Sequence, residues 1–215
     1  VNPERLTGKL MMKYFFVLWL SVLPLLSVAQ TGGDVDELLT ELAPITRLQG
    51  SFTQMQYGQD NALLAESGGL FRLLRPGYFA WEIQHPDEQL IIAGPEFIWH
   101  YDRDLETVTR RPVTTDADMT PLQILGGDET ALREKFQVER TAKGTFVLTP
   151  LASGVGFRQL TLRLENGQLA GMEIQDNLDQ RVVITFADLD SDSELGSVDF
   201  EFTPPPGADL FYYDE

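Results

Sequence analysis

The chain has 215 residues, 43% of them hydrophobic, a formal net charge of −17 and no cysteine. That length and apolar content suit one domain with a sizeable core. The acidic balance makes nucleic acid and anionic membrane surfaces poor partners, and the missing cysteine excludes disulfides, thiol nucleophiles and thiolate metal sites.

Val1 to Met11 reads as an extension ahead of Met12. An apolar run from Tyr14 to Leu26 follows Lys13, and Ser27-Val28-Ala29 places small residues at the minus-three and minus-one positions of a cleavage site. This order of basic, apolar and small is that of a secretory signal peptide. The run is broken by Pro24 and falls short of the roughly 20 apolar residues that span a bilayer. The expected organisation is therefore residues 1–29 as extension and signal, and residues 30–215 as a single domain. Removing Arg5, Lys9, Lys13 and Glu4 with the signal takes the charge from −17 to −19. A secreted chain of this size without disulfides fits a bacterial periplasm.

Asp34 to Leu42 has a short helix's pattern, with Leu38, Leu39 and Leu42 on one stripe and Asp34 as a candidate N-cap. Alternation from Leu48 through Phe52 to Gln54 predicts a strand, Gly58 to Asn61 a turn, and Leu63 to Leu74 a second strand. Then comes an Arg75-Pro76-Gly77 corner, with Phe79 and Trp81 on one face of the strand beyond it. Phe71, Leu73 and Arg75 fall in line before it. A guanidinium in line with large apolar residues is costly to bury unless it meets hydrogen-bond acceptors.

Further strands are predicted at Gln89 to Ala93, Phe97 to Tyr101 and Leu105 to Val113. Thr120-Pro121-Leu122 reads as a helix start with proline at its first position, and Gly126-Gly127 as its end. Asp128 to Lys135 reads as a second short helix. The second half is a series of hairpins, including one at Asn166-Gly167, a strong two-residue turn signal. Val198 to Phe202 is expected to be a strand, and Pro204-Pro205-Pro206 to end regular structure before an acidic, aromatic tail.

About ten or eleven short strands with few helices predict a mainly β (α+β) fold: an incomplete, strongly curved antiparallel barrel with short helices over one concave apolar face. Neither His85 nor His100 sits at metal-ligand spacing. No nucleophile elbow, zinc-protease or nucleotide-binding motif occurs. No catalytic residue, metal or cofactor is expected, and the chain does not read as an enzyme. Aromatic residues cluster on the strands instead, and a ligand pocket needs such apolar lining with few fixed polar groups.

An ordered set of motifs spans nearly the whole mature chain: Gly50-Ser51-Phe52-Thr53-Gln54, Gly69 through Arg75-Pro76-Gly77 to Trp81, His85-Pro86-Asp87-Glu88, Trp99-His100-Tyr101-Asp102, Thr120-Pro121-Leu122, Phe146 to Pro150, and Phe202-Thr203-Pro204-Pro205. In this order the chain resembles the LolA family of periplasmic outer-membrane lipoprotein carriers. The resemblance implies a lidded half-barrel whose interior shields lipoprotein acyl chains. It implies three kinds of partner: outer-membrane-directed lipoproteins, an inner-membrane lipoprotein-releasing ABC transporter and an outer-membrane lipoprotein receptor. The carrier is expected to act as a monomer.

The family's functional arginine falls on Arg75, which would hold lid backbone near Leu42, Leu125 and Gly126. The expected lining is Phe52, Phe71, Leu73, Phe79, Trp81 and Trp99 from the first half, with Leu122, Leu148, Leu162, Met172 and Ile184 from the second. The alternative is a periplasmic lipid-sensing regulatory module that binds a membrane-anchored partner.

Overall fold

The computed structural model describes residues 31–113, 124–126, 129–153 and 155–213. The expected signal segment, and the helix start at Thr120-Pro121-Leu122, lie outside those residues. Helix α1 (Thr31–Leu42) leads into β1 (Arg47–Tyr57), β2 (Leu63–Leu74), β3 (Tyr78–His85), β4 (Gln89–Ala93), β5 (Phe97–Asp102) and β6 (Thr107–Pro112). Ile124 and Leu125 are helical. Helix α2 (Glu129–Lys135) then precedes β7 (Phe136–Ala142), β8 (Thr145–Pro150), β9 (Phe157–Glu165), β10 (Gln168–Asp176) and β11 (Arg181–Asp190). A 3-10 turn (Ser197–Phe200) and β12 (Asp209–Tyr212) complete the described chain.

The strands form one twelve-stranded sheet in the order β12-β6-β5-β4-β3-β2-β1-β11-β10-β9-β8-β7. Every pairing is antiparallel except β12 on β6. The two ends of the sheet, β12 and β7, do not pair, so the barrel stays open. The tight turns explain the meander. Asn166 (φ 54°) and Gly167 (φ 77°) both take positive φ, as a two-residue hairpin joining right-twisted strands requires.

Alternation divides the sheet into two faces. Leu48, Phe52, Phe71, Leu73, Phe79, Trp81 and Ile98 share one buried cluster with Phe146, Leu148, Leu160, Leu162, Met172, Ile184 and Phe186. Val35, Leu38 and Leu42 of α1 cap that inner face, with Ile124, Leu125 and Leu132 beside them. The opposite face carries a smaller core. There Ala80 and Ile92 are buried under Phe200, with Tyr78, Leu90 and Phe202 around them.

The expected ten or eleven strands are thus twelve among the described residues. The tail does not stay irregular after its prolines: Asp209 to Tyr212 returns to the sheet edge and pairs with β6. The segment from Val198 is a 3-10 turn rather than a strand, because its role is to drop Phe200 onto Ala80 and Ile92 instead of pairing. α1 begins at Thr31, so Asp34 lies in its first turn rather than capping it. Its carboxylate accepts the Arg140 N–H at 3.0 Å, and so occupies an otherwise unpaired donor on the β7 edge.

Gly69 shows how tightly the inner face is built. It lies opposite Phe52 on β1, at a register shift between β2 and β3, and a Cβ there would run into the Glu82 carbonyl oxygen. Gly69→Ala should destabilise the protein by about 1–3 kcal/mol through overpacking. At about 2–4 °C per kcal/mol, calorimetry should show a clearly lowered Tm, and an unchanged Tm would refute this account of the contact.

Candidate functional site

The site grows from the corner between β2 and β3. Leu74 ends β2, Tyr78 begins β3, and Gly77 takes φ +84°, a backbone state that suits glycine. The corner holds Arg75 against the ends of the helical cover. Its Nε donates to the Leu125 carbonyl and its Nη1 to the Leu42 carbonyl, both at 3.0 Å. The Gly77 N–H donates to the Gly126 carbonyl at 3.2 Å, and the Arg75 N–H to the Thr46 carbonyl at 2.8 Å. One corner therefore ties down both covering segments.

The partner at Leu42 is chemically apt. Leu42 ends α1, whose last carbonyls lack partners within the helix and form the negative end of its dipole. The last turn of α1 contains no basic residue, so Arg75 supplies that cation from another part of the chain. Burial pushes the Arg75 guanidinium down from its ordinary value to about 10. Its Nη2 is buried without a hydrogen-bond partner. Among the described residues the corner thus meets a desolvated charge with neutral carbonyls and no carboxylate.

Beneath this corner lies an aromatic cluster. Phe52 stacks on Trp81 with ring centroids 3.5 Å apart, Phe79 lies 5.8 Å from Trp81, and Phe71 meets Phe186 edge-on at 5.0 Å. Phe52, Phe71, Leu73, Phe79, Trp81, Leu148, Leu162, Met172 and Ile184 are all buried in one cluster, so the structure brings these nine expected positions together. Among the described residues these side chains pack against one another, and Phe52 lies flat on Trp81. A groove of about 380 Å³ lies on the other face, between Gln49, Ser51, Arg72, Glu82, Asp188 and Asp190.

One expected position, Trp99, does not join the cluster. Trp99 pairs with Ile92, which pairs with Ala80, so it faces outward while Trp81 faces in. Its ring packs against Phe202 at 5.5 Å and Tyr212 at 6.3 Å. Leu122 lies outside the described residues.

Sequence reasoning also missed the ionic supports of the cover. Arg140 on β7 holds Glu37 at 2.9 Å, and Arg133 on α2 holds Asp36 at 2.6 Å and Glu129 at 3.1 Å. The acidic first turns of α1 carried a signal, but the arginines that answer them lie about a hundred residues away. His100 is half-buried, 3.0 Å from the Gln89 side chain, and burial lowers its pKa. No cluster of three or more potential metal ligands occurs among the described residues.

Similar proteins agree with this architecture. A protein from Methylococcus capsulatus named "Outer-membrane lipoprotein carrier protein" is 38% identical over 202 residues, covering 90% of this chain and 96% of that protein. A protein of the same name from Chromohalobacter salexigens is 35% identical over 191 residues, covering 87% and 90%. A third, from Pseudomonas aeruginosa, is 32% identical over 203 residues, covering 93% and 98%. Among solved structures, a DUF1329 family protein from Desulfovibrio piger superposes with a TM-score of 0.51 at 11% identity, covering 78% of this chain and 95% of that one. An uncharacterized conserved protein from Thermus thermophilus superposes with a TM-score of 0.50 at 11% identity, covering 86% and 100%. At such low identity these two matches speak for the fold alone. Residues 44–203 match the family described as "Outer membrane lipoprotein carrier protein LolA", and with relatives this similar over nearly their whole length the chain belongs to the LolA family of lipoprotein carriers.

Proposed function

We propose that the chain is a periplasmic carrier that accepts lipoproteins from an inner-membrane ABC transporter, shields their acyl chains against its inner face and delivers them to an outer-membrane receptor. The observation that supports this most is the buried Arg75 bonded to the carbonyls of Leu42 and Leu125, directly above a wholly apolar interior. Such an arrangement suits a lid that closes when empty. The carriers that align over most of their length favour this reading over a lipid-sensing regulatory module.

The mechanism is a competition, with no covalent chemistry. Burying acyl chain contributes about 0.8 kcal/mol per CH₂, so several chains held without opposition would leave too slowly to be handed on. Closure opposes them. Hydrogen bonds from a charged donor contribute about 1.5–3 kcal/mol each, and a ligand's apparent affinity falls in proportion to the fraction of carrier that is open. Arg75 would set that fraction. Phe79 and Trp81 would move aside to admit the acyl chains.

Arg75→Leu should therefore tighten binding of a fluorescent acyl probe by about tenfold or more, which is about 1.4 kcal/mol, while delivery to purified receptor falls. Normal delivery by the variant would overturn the latch. Photo-crosslinking probes at Phe79 and Trp81 should capture lipoprotein acyl chains, whereas a probe at the exposed Asn166 turn should not. Equal labelling at all three positions would argue against an acyl site inside the barrel.

Solution pH tests the charge. Burial holds the closed Arg75 at about 10, below its ordinary value. Closing therefore releases a proton only between those values, and closure gains as pH rises through that window. Below it Arg75 is protonated in both states. Acyl-probe affinity of the wild type divided by that of Arg75→Leu should be flat from about pH 7 to 9. An inflection in that ratio would show that another titrating group works through the latch.

A further inference from the structure

The two free ends of the sheet are treated very differently. At β7, α1 lies alongside, and the Asp34 carboxylate takes the Arg140 N–H. At β12 nothing lies alongside among the described residues. All four residues of β12 are exposed, and the surface there is apolar: Leu210, Phe211, Tyr212 and then Tyr213, the last 60% exposed. Sheet edges are normally blunted by charge, proline or cover. Here four successive apolar side chains stand on one.

The ladder geometry shows which backbone groups are free. β12 runs parallel to β6, with Asp209 N–H donating to Glu106 and Tyr213 N–H to Arg110, both at 2.9 Å. In a parallel pair alternate residues face the neighbour, so Asp209, Phe211 and Tyr213 address β6. The N–H and C=O groups of Leu210 and Tyr212 consequently point outward.

The strand is also held in place. The Arg110 guanidinium lies 4.5 Å from the Tyr212 ring and 4.4 Å from the Phe97 ring, which fixes Tyr212 to the sheet. An edge with ordered backbone donors and acceptors, apolar side chains and no cover among the described residues is the template for strand addition.

Charge selects the occupant. Asp209, Asp214 and Glu215 give residues 209–215 three acidic groups against the one guanidinium, Arg110, that lies over Tyr212, on a chain of net charge −17. A second copy of this chain would bring like charges together. We propose that β12 is a docking strand for an extended segment of a partner protein that carries lysine or arginine between apolar residues. This goes beyond the carrier reading, because it concerns how a partner grips the protein and not what the interior holds.

The test uses the full chain, labelled for amide NMR, and a short synthetic peptide alternating valine with lysine. The matching valine–glutamate peptide is the control. Only the lysine peptide should shift and protect the Leu210 and Tyr212 amides at low salt. Leu210→Pro removes one outward N–H and leaves the β6 ladder intact, so it should weaken that binding by about tenfold. Asp209→Lys should weaken it too, without touching the backbone edge. In transfer assays Leu210→Pro should slow the release of lipoprotein from transporter-bearing vesicles or its delivery to receptor by about tenfold. Its affinity for an acyl probe, which reads the carrier role alone, should stay at the wild-type value.

The docking proposal is overturned if the amides of 210–212 do not respond, if both peptides bind alike, or if both handovers proceed at wild-type rate in Leu210→Pro. It is also overturned if the same amides shift with protein concentration alone, which would assign the edge to a second copy.

Discussion

One desolvated charge governs the closed molecule. A guanidinium taken out of water is unfavourable unless its donors are met, and Arg75 meets two of them with carbonyls from separate covering segments. Carbonyls stabilise the charge less than a carboxylate would, and the Nη2 group is left unpaired. On the proposed reading the bond is strong enough to set an orientation and weak enough to be given up. A buried carboxylate partner would have made the same corner a permanent part of the core, since breaking a buried ion pair costs about 3–5 kcal/mol.

The sheet around that corner has to hide two faces, and it does so unequally. The inner face receives α1, Leu125 and α2, held at their rims by Arg133 and Arg140. These ion pairs are partly exposed, so each contributes little. Among the described residues the outer face receives the strap from Ser197 to Tyr212. The strap is what turns Trp99 from an exposed ring into a half-buried one.

What the sequence conveyed, and what it concealed, follows from range. Hairpins such as Asn166-Gly167 are encoded by adjacent residues, and the meander could be read from them. The Arg75 corner was legible because an arginine in an apolar row needs an explanation whatever surrounds it. Trp99 was not legible. Whether it or Ile98 faces inward depends on register carried across β3, β4 and β5, and a shift of one residue reverses every side chain. The return of Asp209 to Tyr212 as a parallel edge strand was hidden for a similar reason. Three prolines do forbid a strand locally, but they say nothing of where the chain goes next. The arginines that hold α1 were concealed by the hundred residues between them and their carboxylates.

The ring packing inside the sheet bears on what a carrier of this kind must do. Phe52, Trp81 and Phe79 occupy one another's space, with Phe52 and Trp81 in direct stacking contact. An empty apolar hollow would forfeit the dispersion contacts of its lining, so the unloaded protein is better packed with its own rings inside. On the proposed reading, cargo does not enter a waiting hole. It replaces rings that already shield one another, and gains only the difference between the two packings. That difference, rather than the total area of the acyl chains, sets the affinity. On that reading the same aromatic residues serve as wall when the carrier is loaded and as stand-in for cargo when it is empty, and the proposed latch at Arg75 holds the cover closed only over the second.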